Sequence, residues 1–251
     1  MLAANFGFYS GFRPRGPAPT VPQPSVPFNY QTPDAYEFYL GLSPLSTANA
    51  RLLEGKAGYW QEIVDHPNYD EFWQKRSIWK HVAGRVTAAV LNVGGYFDAE
   101  DPAGPYLVYN ALEKDPKADN RLVMGPWSHG QWNRGPGDRL GNLTWGMKTG
   151  EYFREKIQFP FFMHYLKDAP LPREVGEAMM FVTGLNEFRT HATWPPKAAR
   201  PLTLYLGAGG QLSAAAPAEA NAYDEYVSDP NRPVPHVGYV VRGLTGDHAT
   251  E

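Results

Sequence analysis

The sequence predicts an α/β fold, and three features carry that expectation. Val86-Thr-Ala-Ala-Val-Leu-Asn-Val93 and Arg121-Leu-Val-Met124 are continuous β-prone apolar runs, the signature of strands buried on both faces of a parallel sheet. Between them, Tyr106, Leu107, Tyr109 and Leu112 recur at helical spacing over Pro105 to Lys114, so residues 86–124 read as one βαβ unit. The flanks have a different texture, with short aromatic helices before the unit and an all-β pattern after Pro172.

Taken in order, residues 13–33 are irregular, because their prolines withhold backbone donors and fix φ. Tyr36, Phe38, Tyr39 and Leu40 predict a helix from Asp34 to about Leu42, capped by Thr32 or Asp34. Thr47 to Leu53, Tyr59 to Asp65 and Asp70 to Lys80 read as further short helices, the last with Phe72, Trp73 and Trp79 on one broad face. Helices with aromatic faces and no intervening strands fit a cap, which is assigned to residues 1–83. The α/β part is assigned to 84–172. It ends with an amphipathic helix over 151–167 (Phe153, Ile157, Phe161, Phe162, Tyr165, Leu166) that is expected to bend or break at Pro160. From 173 to 251, the strands Glu177–Thr183 and Arg200–Leu206 and a turn at Gly207–Gly210 read as the opening of a β-sandwich too short to close on itself.

Composition narrows the partners. At 43% hydrophobic and 20% charged residues the chain can build a core. A net charge of −3 argues against nucleic acid and anionic membranes, which call for clustered Lys and Arg. No apolar run approaches the roughly 18 residues of a transmembrane helix. With Cys at 0, disulfides and thiolate metal sites are excluded and no compartment is assigned. Aromatic residues at 14% suit a site that holds a small organic molecule by apolar contact. Met1-Leu-Ala-Ala-Asn lacks the basic and apolar regions of a signal peptide. Neither end reads as a domain boundary, and both are expected to be cut points within a longer protein.

The chemistry centres on two words. Gly94-Gly-Tyr-Phe-Asp98 and Gly125-Pro-Trp-Ser-His129-Gly130 each follow a buried strand, and residues just past the carboxyl ends of parallel strands line the ligand crevice of an α/β sheet. His129 suits a general base and Asp98 the carboxylate that orients it. The plainer alternative makes Asp98, Glu100 and Asp101 an acidic loop before a helix, with Asp101 as N-cap or outer support. A Gly-x-Ser-x-Gly elbow is missing: Ser43 is followed by Pro44, Ser10 lacks the flanking glycines, and Ser128 adjoins the base itself. In an α/β-hydrolase the nucleophile precedes the acid and the base, so the serine is expected upstream of residue 1. The seven histidines show no ligand spacing, so no metal and no cofactor are expected. Gly207–Gly210 lacks a following Lys-Ser/Thr and reads as a β-turn rather than a phosphate loop.

Five words, in order across roughly residues 35–235, resemble the CocE/NonD group of serine hydrolases, the peptidase S15 relatives. They are Asp65-His-Pro-Asn-Tyr-Asp-Glu-Phe-Trp73, Gly95-Tyr-Phe-Asp98-Ala-Glu-Asp101, Leu122-Val-Met-Gly-Pro-Trp-Ser-His129, Phe161-Phe-Met-His-Tyr-Leu166 and Tyr226-Val-Ser-Asp-Pro230. Within the group, the chain is most similar to the α-amino-acid ester hydrolases and the glutaryl-7-aminocephalosporanate acylases. The resemblance implies a partial α/β-hydrolase core, a helical cap segment and the first strands of a C-terminal jelly roll, with Asp98 and His129 as triad members. It also implies a carboxylate cluster for a substrate ammonium, for which Asp70 and Glu71 are candidates; alternatively they are a helix-start pair interacting with the dipole. Tyr96 and Trp127 are candidates to wall the acyl pocket, with core packing as the alternative. The expectation is a fragment of a hydrolase of esters or amides, inactive alone. X-Pro dipeptidyl-peptidase activity and a non-catalytic binding scaffold are the alternatives. Relatives assemble, so a homo-oligomer is one expectation, as is a periplasmic or secreted parent.

Overall fold

The computed structural model describes residues 29–218, except Ser43, Lys56 and Ala99, and residues 223–229. Readings that fall on Ser10, the irregular stretch before residue 29 and Pro230 lie outside these residues. The helical part opens with α1 (Ala35–Gly41), where the Asp34 carboxylate accepts the Tyr36 N–H as its N-cap. A 3₁₀ turn (Leu45–Thr47) leads into α2 (Ala48–Leu52), followed by α3 (Gly58–Asp65). Ala48, Leu53, Ala57 and Trp60 form a small core against Tyr30, Phe38 and Tyr39. The helix expected over 70–80 is split into α4 (Glu71–Arg76) and α5 (Trp79–Val82). The break falls at Ser77, whose backbone is extended and whose hydroxyl donates to the Trp73 carbonyl in place of a helical N–H.

The sheet strands are β1 (Val90–Gly95) and β2 (Asn120–Gly125), joined by α6 (Gly104–Leu112), then β5 (Ala178–Val182) and β6 (Glu187–His191). Their order is β1-β2-β5-β6, with the first three parallel and β6 antiparallel to β5. Two short strands, β3 (Arg139–Leu140) and β4 (Leu143–Thr144), form a hairpin between β2 and the next helices. β1 starts four residues later than the apolar run suggests. Its first partner is Asn120, with the Val90 N–H donating to the Asp119 carbonyl, so residues 86–89 have no neighbouring strand in β2.

Alternation along β2 sends Leu122 and Met124 to one face and Val123 to the other. On the first face they pack with Tyr109 of α6, Ala178 and Met180; on the second, Val123 and Met179 meet Trp127, Phe153 and Ile157. The second face is covered by a continuous helical rod: α7 (Thr149–Tyr152), a π-helical stretch (Phe153–Gln158) and α8 (Phe159–Lys167). Pro160 therefore does not interrupt the rod. It lies in the first turn of α8, where no intrahelical donor is needed, and the wider π turns precede it.

The clearest correction concerns residues 173–191. The sequence placed Glu177–Thr183 in the β-sandwich, whereas Ala178–Val182 pairs in parallel with β2 and belongs to the α/β sheet. A buried run such as Ala-Met-Met-Phe-Val has no period that separates sheet core from sandwich core, so only its hydrogen-bonding partner decides. Beyond it, β7 (Tyr205–Gly207) and β8 (Gln211–Ser213) form a separate two-stranded hairpin. Among the described residues, no helix is long and apolar enough to cross a membrane.

Candidate active site

The turns that follow β1 and β2 are hydrogen-bonded to each other. Tyr96 N–H donates to the Gly125 carbonyl at 2.9 Å and Phe97 N–H to the Trp127 carbonyl at 3.1 Å. Glycine permits this approach: a Cβ on Gly95 would collide with the Trp127 carbonyl, and one on Gly125 would lie 2.5 Å from the Trp127 ring. Asp98 and His129 leave the two turns side by side. His129 Nδ1 lies 3.1 and 3.3 Å from the two Asp98 carboxylate oxygens.

Asp98 is 4% exposed, and its Oδ1 also accepts the backbone N–H groups of Glu100 and Asp101, both at 2.9 Å. A buried carboxylate that already holds two donors is an acceptor for the ring, so Nδ1 carries the proton and Nε2 presents its lone pair. The His129 side chain is 48% exposed, which leaves Nε2 open to an incoming molecule. Two more carboxylates flank the ring: Glu100 Oε2 stands 3.6 Å from Nε2, and Asp101 Oδ2 3.7 Å from Nδ1. Both distances exceed hydrogen-bond range. Asp101 is not the N-cap of α6, a position held by Ala103.

The His129 loop is pinned from several sides. Gly130 takes a left-handed φ of 66°, Ser128 N–H donates to Gln131 Oε1, and the Arg134 guanidinium donates to the His129 and Gly130 carbonyls. Asp98, Asp101 and His129 also form a group whose ligand atoms lie within 4.8 Å of one another. Asp98 Oδ1 already accepts two backbone N–H groups, those of Glu100 and Asp101.

The other expected site residues have different surroundings. Trp127 is fully buried: its indole N–H donates to Thr149 Oγ1 at 2.8 Å and its ring packs on Phe153, Trp132 and Phe188. Of the two roles open to Trp127, the structure shows core packing, because a side chain with no exposed surface cannot line a pocket. Tyr96 is half-buried, its hydroxyl 3.8 Å from Met180 Sδ, and burial raises its pKa above the usual phenol range. Asp70 accepts the Phe72 N–H as the N-cap of α4 and bonds His66 Nδ1 at 2.6 Å; that bond, ahead of the backbone donors, lowers its pKa. Glu71 is exposed and pairs with Lys75 at 2.8 Å. Neither acid contacts His129, and both have the local roles of a helix start. The sequence did not single out Thr149, Gln131 or Arg134, which support the His129 loop through contacts that no spacing reveals.

The family model for the X-Pro dipeptidyl-peptidases of the S15 family matches residues 31–131. The cocaine esterase of Rhodococcus sp. (strain MB1 Bresler) is 31% identical over 196 residues, which is 74% of this chain and 33% of the esterase. The chain belongs to the CocE/NonD group of S15 hydrolases. Solved structures agree with this. An α-amino acid ester hydrolase superposes with a TM-score of 0.80 at 32% identity, over 95% of this S15 chain and 39% of its own. An aminopeptidase from the marine sediment archaeon Thaumarchaeota archaeon gives a TM-score of 0.73 at 38% identity, over 87% and 35%. The S15 chain thus spans about a third of the length of these relatives.

Proposed function

We propose that Asp98 and His129 are the acid and base of a serine hydrolase that cleaves esters or amides of small acyl groups through an acyl-enzyme. The observation that carries this reading is the buried Asp98 carboxylate held against Nδ1 of a half-exposed His129, on adjacent turns past two parallel strands. His129 Nε2 would take the proton from a hydroxyl nucleophile as it attacks the substrate carbonyl, then return it to the leaving oxygen or nitrogen. Water would repeat the step on the acyl-enzyme. Asp98 keeps the ring in the tautomer that has Nε2 unprotonated and stabilises the imidazolium formed in between. Among the described residues no hydroxyl is hydrogen-bonded to Nε2, so the nucleophile is assigned to a serine outside them.

The names of the relatives divide the substrate question. The ester hydrolase and the cocaine esterase favour esters; the S15 description and the aminopeptidase favour a second reading, X-Pro dipeptide release. The reading of the C-terminal part as the first strands of a jelly roll is supported by the β7–β8 hairpin, whose Leu206 and Leu212 stand exposed. The deciding assay is p-nitrophenyl ester and X-Pro-anilide hydrolysis by the polypeptide that carries these residues. His129→Ala and Asp98→Asn should each lower kcat by about 10⁴-fold or more while leaving the fold intact. Turnover that survives His129→Ala would overturn the assignment.

A further inference from the structure

A second group of hydroxyl and amine side chains stands at the corner where the helix expected over 70–80 divides into α4 and α5. A continuous helix would hold residues 69 and 77 about 12 Å apart along its axis. The break at Ser77 folds them together instead, with the Tyr69 hydroxyl 2.8 Å from Ser77 Oγ. Lys80 of α5 completes the group: its Nζ is 5.2 Å from the centre of the Tyr69 ring and donates a further hydrogen bond to the phenol oxygen. In the chain the serine and the lysine read Ser77-Ile-Trp-Lys80. Ser-x-x-Lys is a spacing in which a lysine replaces histidine beside a nucleophilic hydroxyl. Tyr69 is 56% exposed and Ser77 half-buried, so an incoming molecule can reach both.

The hydrogens of this group have two arrangements. While Tyr69 is neutral, Ser77 donates to the Trp73 carbonyl at 3.1 Å and accepts the Tyr69 hydroxyl. Once Tyr69 ionises, its phenolate is the stronger acceptor and takes the Ser77 hydrogen. The Ser77 bond, supported by the hydrogen bond and charge of Lys80, holds the Tyr69 pKa below the usual phenol range, although desolvation acts the other way. The neighbouring acids are engaged elsewhere, Asp70 with His66 and Glu71 with Lys75, which leaves Lys80 as the charge that faces the phenol.

We propose that Ser77, Tyr69 and Lys80 form a second nucleophilic centre, at which Ser77 accepts the acyl group of small activated esters, with Tyr69 as its base and Lys80 as the cation that stabilises the phenolate. The centre is separate from the first site: among the described residues, none of the three forms a hydrogen bond or ion pair with Asp98 or His129. Ser77 Oγ bonds to the ester carbonyl carbon while its proton passes to the Tyr69 oxygen. The bond from that carbon to the leaving oxygen then breaks, the electron pair departs with the oxygen, and the Tyr69 proton follows it. An ester at Ser77 and a free alcohol are formed, and no other reactant is consumed. Because the three side chains lie on an open surface, the acyl group must be small and the leaving group good.

The test uses the full chain and p-nitrophenyl acetate, with the acetyl groups located residue by residue by mass spectrometry. Ser46, exposed and on the same chain, is the internal reference. Ser77 should be acetylated about 10²-fold faster than Ser46 or more, the range that a positioned base supplies. Its rate should climb with pH and level off before an ordinary phenol ionises. Tyr69→Phe keeps the ring beside Lys80 and should bring Ser77 down to the Ser46 rate. Lys80→Met keeps most of the side-chain stem and should move the midpoint of the pH profile upward. Equal rates at Ser77 and Ser46 in the native chain would overturn the proposal without recourse to any variant. So would a Ser77 rate that Tyr69→Phe leaves unchanged, or acetyl groups on Tyr69 or Lys80 with none on Ser77. The label is read at Ser77 itself, so its absence counts against this centre alone, and absence of His129-dependent turnover counts against the hydrolase reading alone.

Discussion

At the scale of single residues, burial and partners sort the functional candidates from the structural ones. Trp127 and His129 are two residues apart, yet one is sealed in the core and the other is half-exposed. The sequence delivers both after the same strand; only the packing tells them apart. Elsewhere a carboxylate is strained by its surroundings. Glu177 precedes β5 and accepts the Tyr109 hydroxyl at 2.9 Å. Burial raises its pKa first of all, with Glu113 adding repulsion, while the Tyr109 bond and Arg121 pull the other way. A raised folded-state value means that Glu177 contributes most to stability below the usual carboxylate range and loses that contribution as pH rises through the folded value. Glu177→Gln keeps an acceptor for Tyr109 and removes the titration. Urea unfolding at a series of pH values should show the variant gaining on the native chain as pH rises above the usual carboxylate range, the gain levelling off once Glu177 is ionised in the folded chain as well. A difference independent of pH would show that burial of Glu177 costs the fold nothing.

At the scale of elements, the site depends on two strand-to-turn junctions brought within one peptide of each other. Gly95 is the tightest point, because the Trp127 carbonyl occupies the space a side chain would need. Backbone oxygen cannot rotate away as a side chain can. Gly95→Ala is expected to force the turns apart, lowering stability by about 1–3 kcal/mol and disturbing the His129 environment more than the sheet. Chemical denaturation and the His129 ring resonances in an NMR spectrum check the two parts of this expectation. The strand-helix-strand order was legible because periodicity and β-branched content mark elements locally. The π-helical stretch before Pro160 was not, since the sequence only shows that a proline must be accommodated and not whether the helix breaks or widens to accommodate it.

At the scale of the whole molecule, the surface of α8 is the feature that composition hides. Phe159, Phe162 and Leu166 are 63%, 50% and 70% exposed and follow helical spacing, so they form one apolar stripe. Such stripes promote association in water. Replacing all three by Gln should reduce concentration-dependent light scattering and leave the far-ultraviolet circular dichroism unchanged. Scattering that does not fall would place the adhesive surface elsewhere, for example on the unpaired edge of β1, which is an outer strand among the described residues.

The sequence by itself determined the parallel βαβ unit, the emergence of Asp98 and His129 at its strand ends, and the family. All three are written in contiguous words whose chemistry and spacing are local. Tertiary structure alone decided which acids face the imidazole, that Trp127 is core, that Asp70 and Glu71 stay with their own helix, and that Ala178–Val182 joins the α/β sheet. These are questions of which backbone or side chain lies opposite which across tens of residues. Residue identity restricts such pairings, but burial and hydrogen-bond geometry select among them.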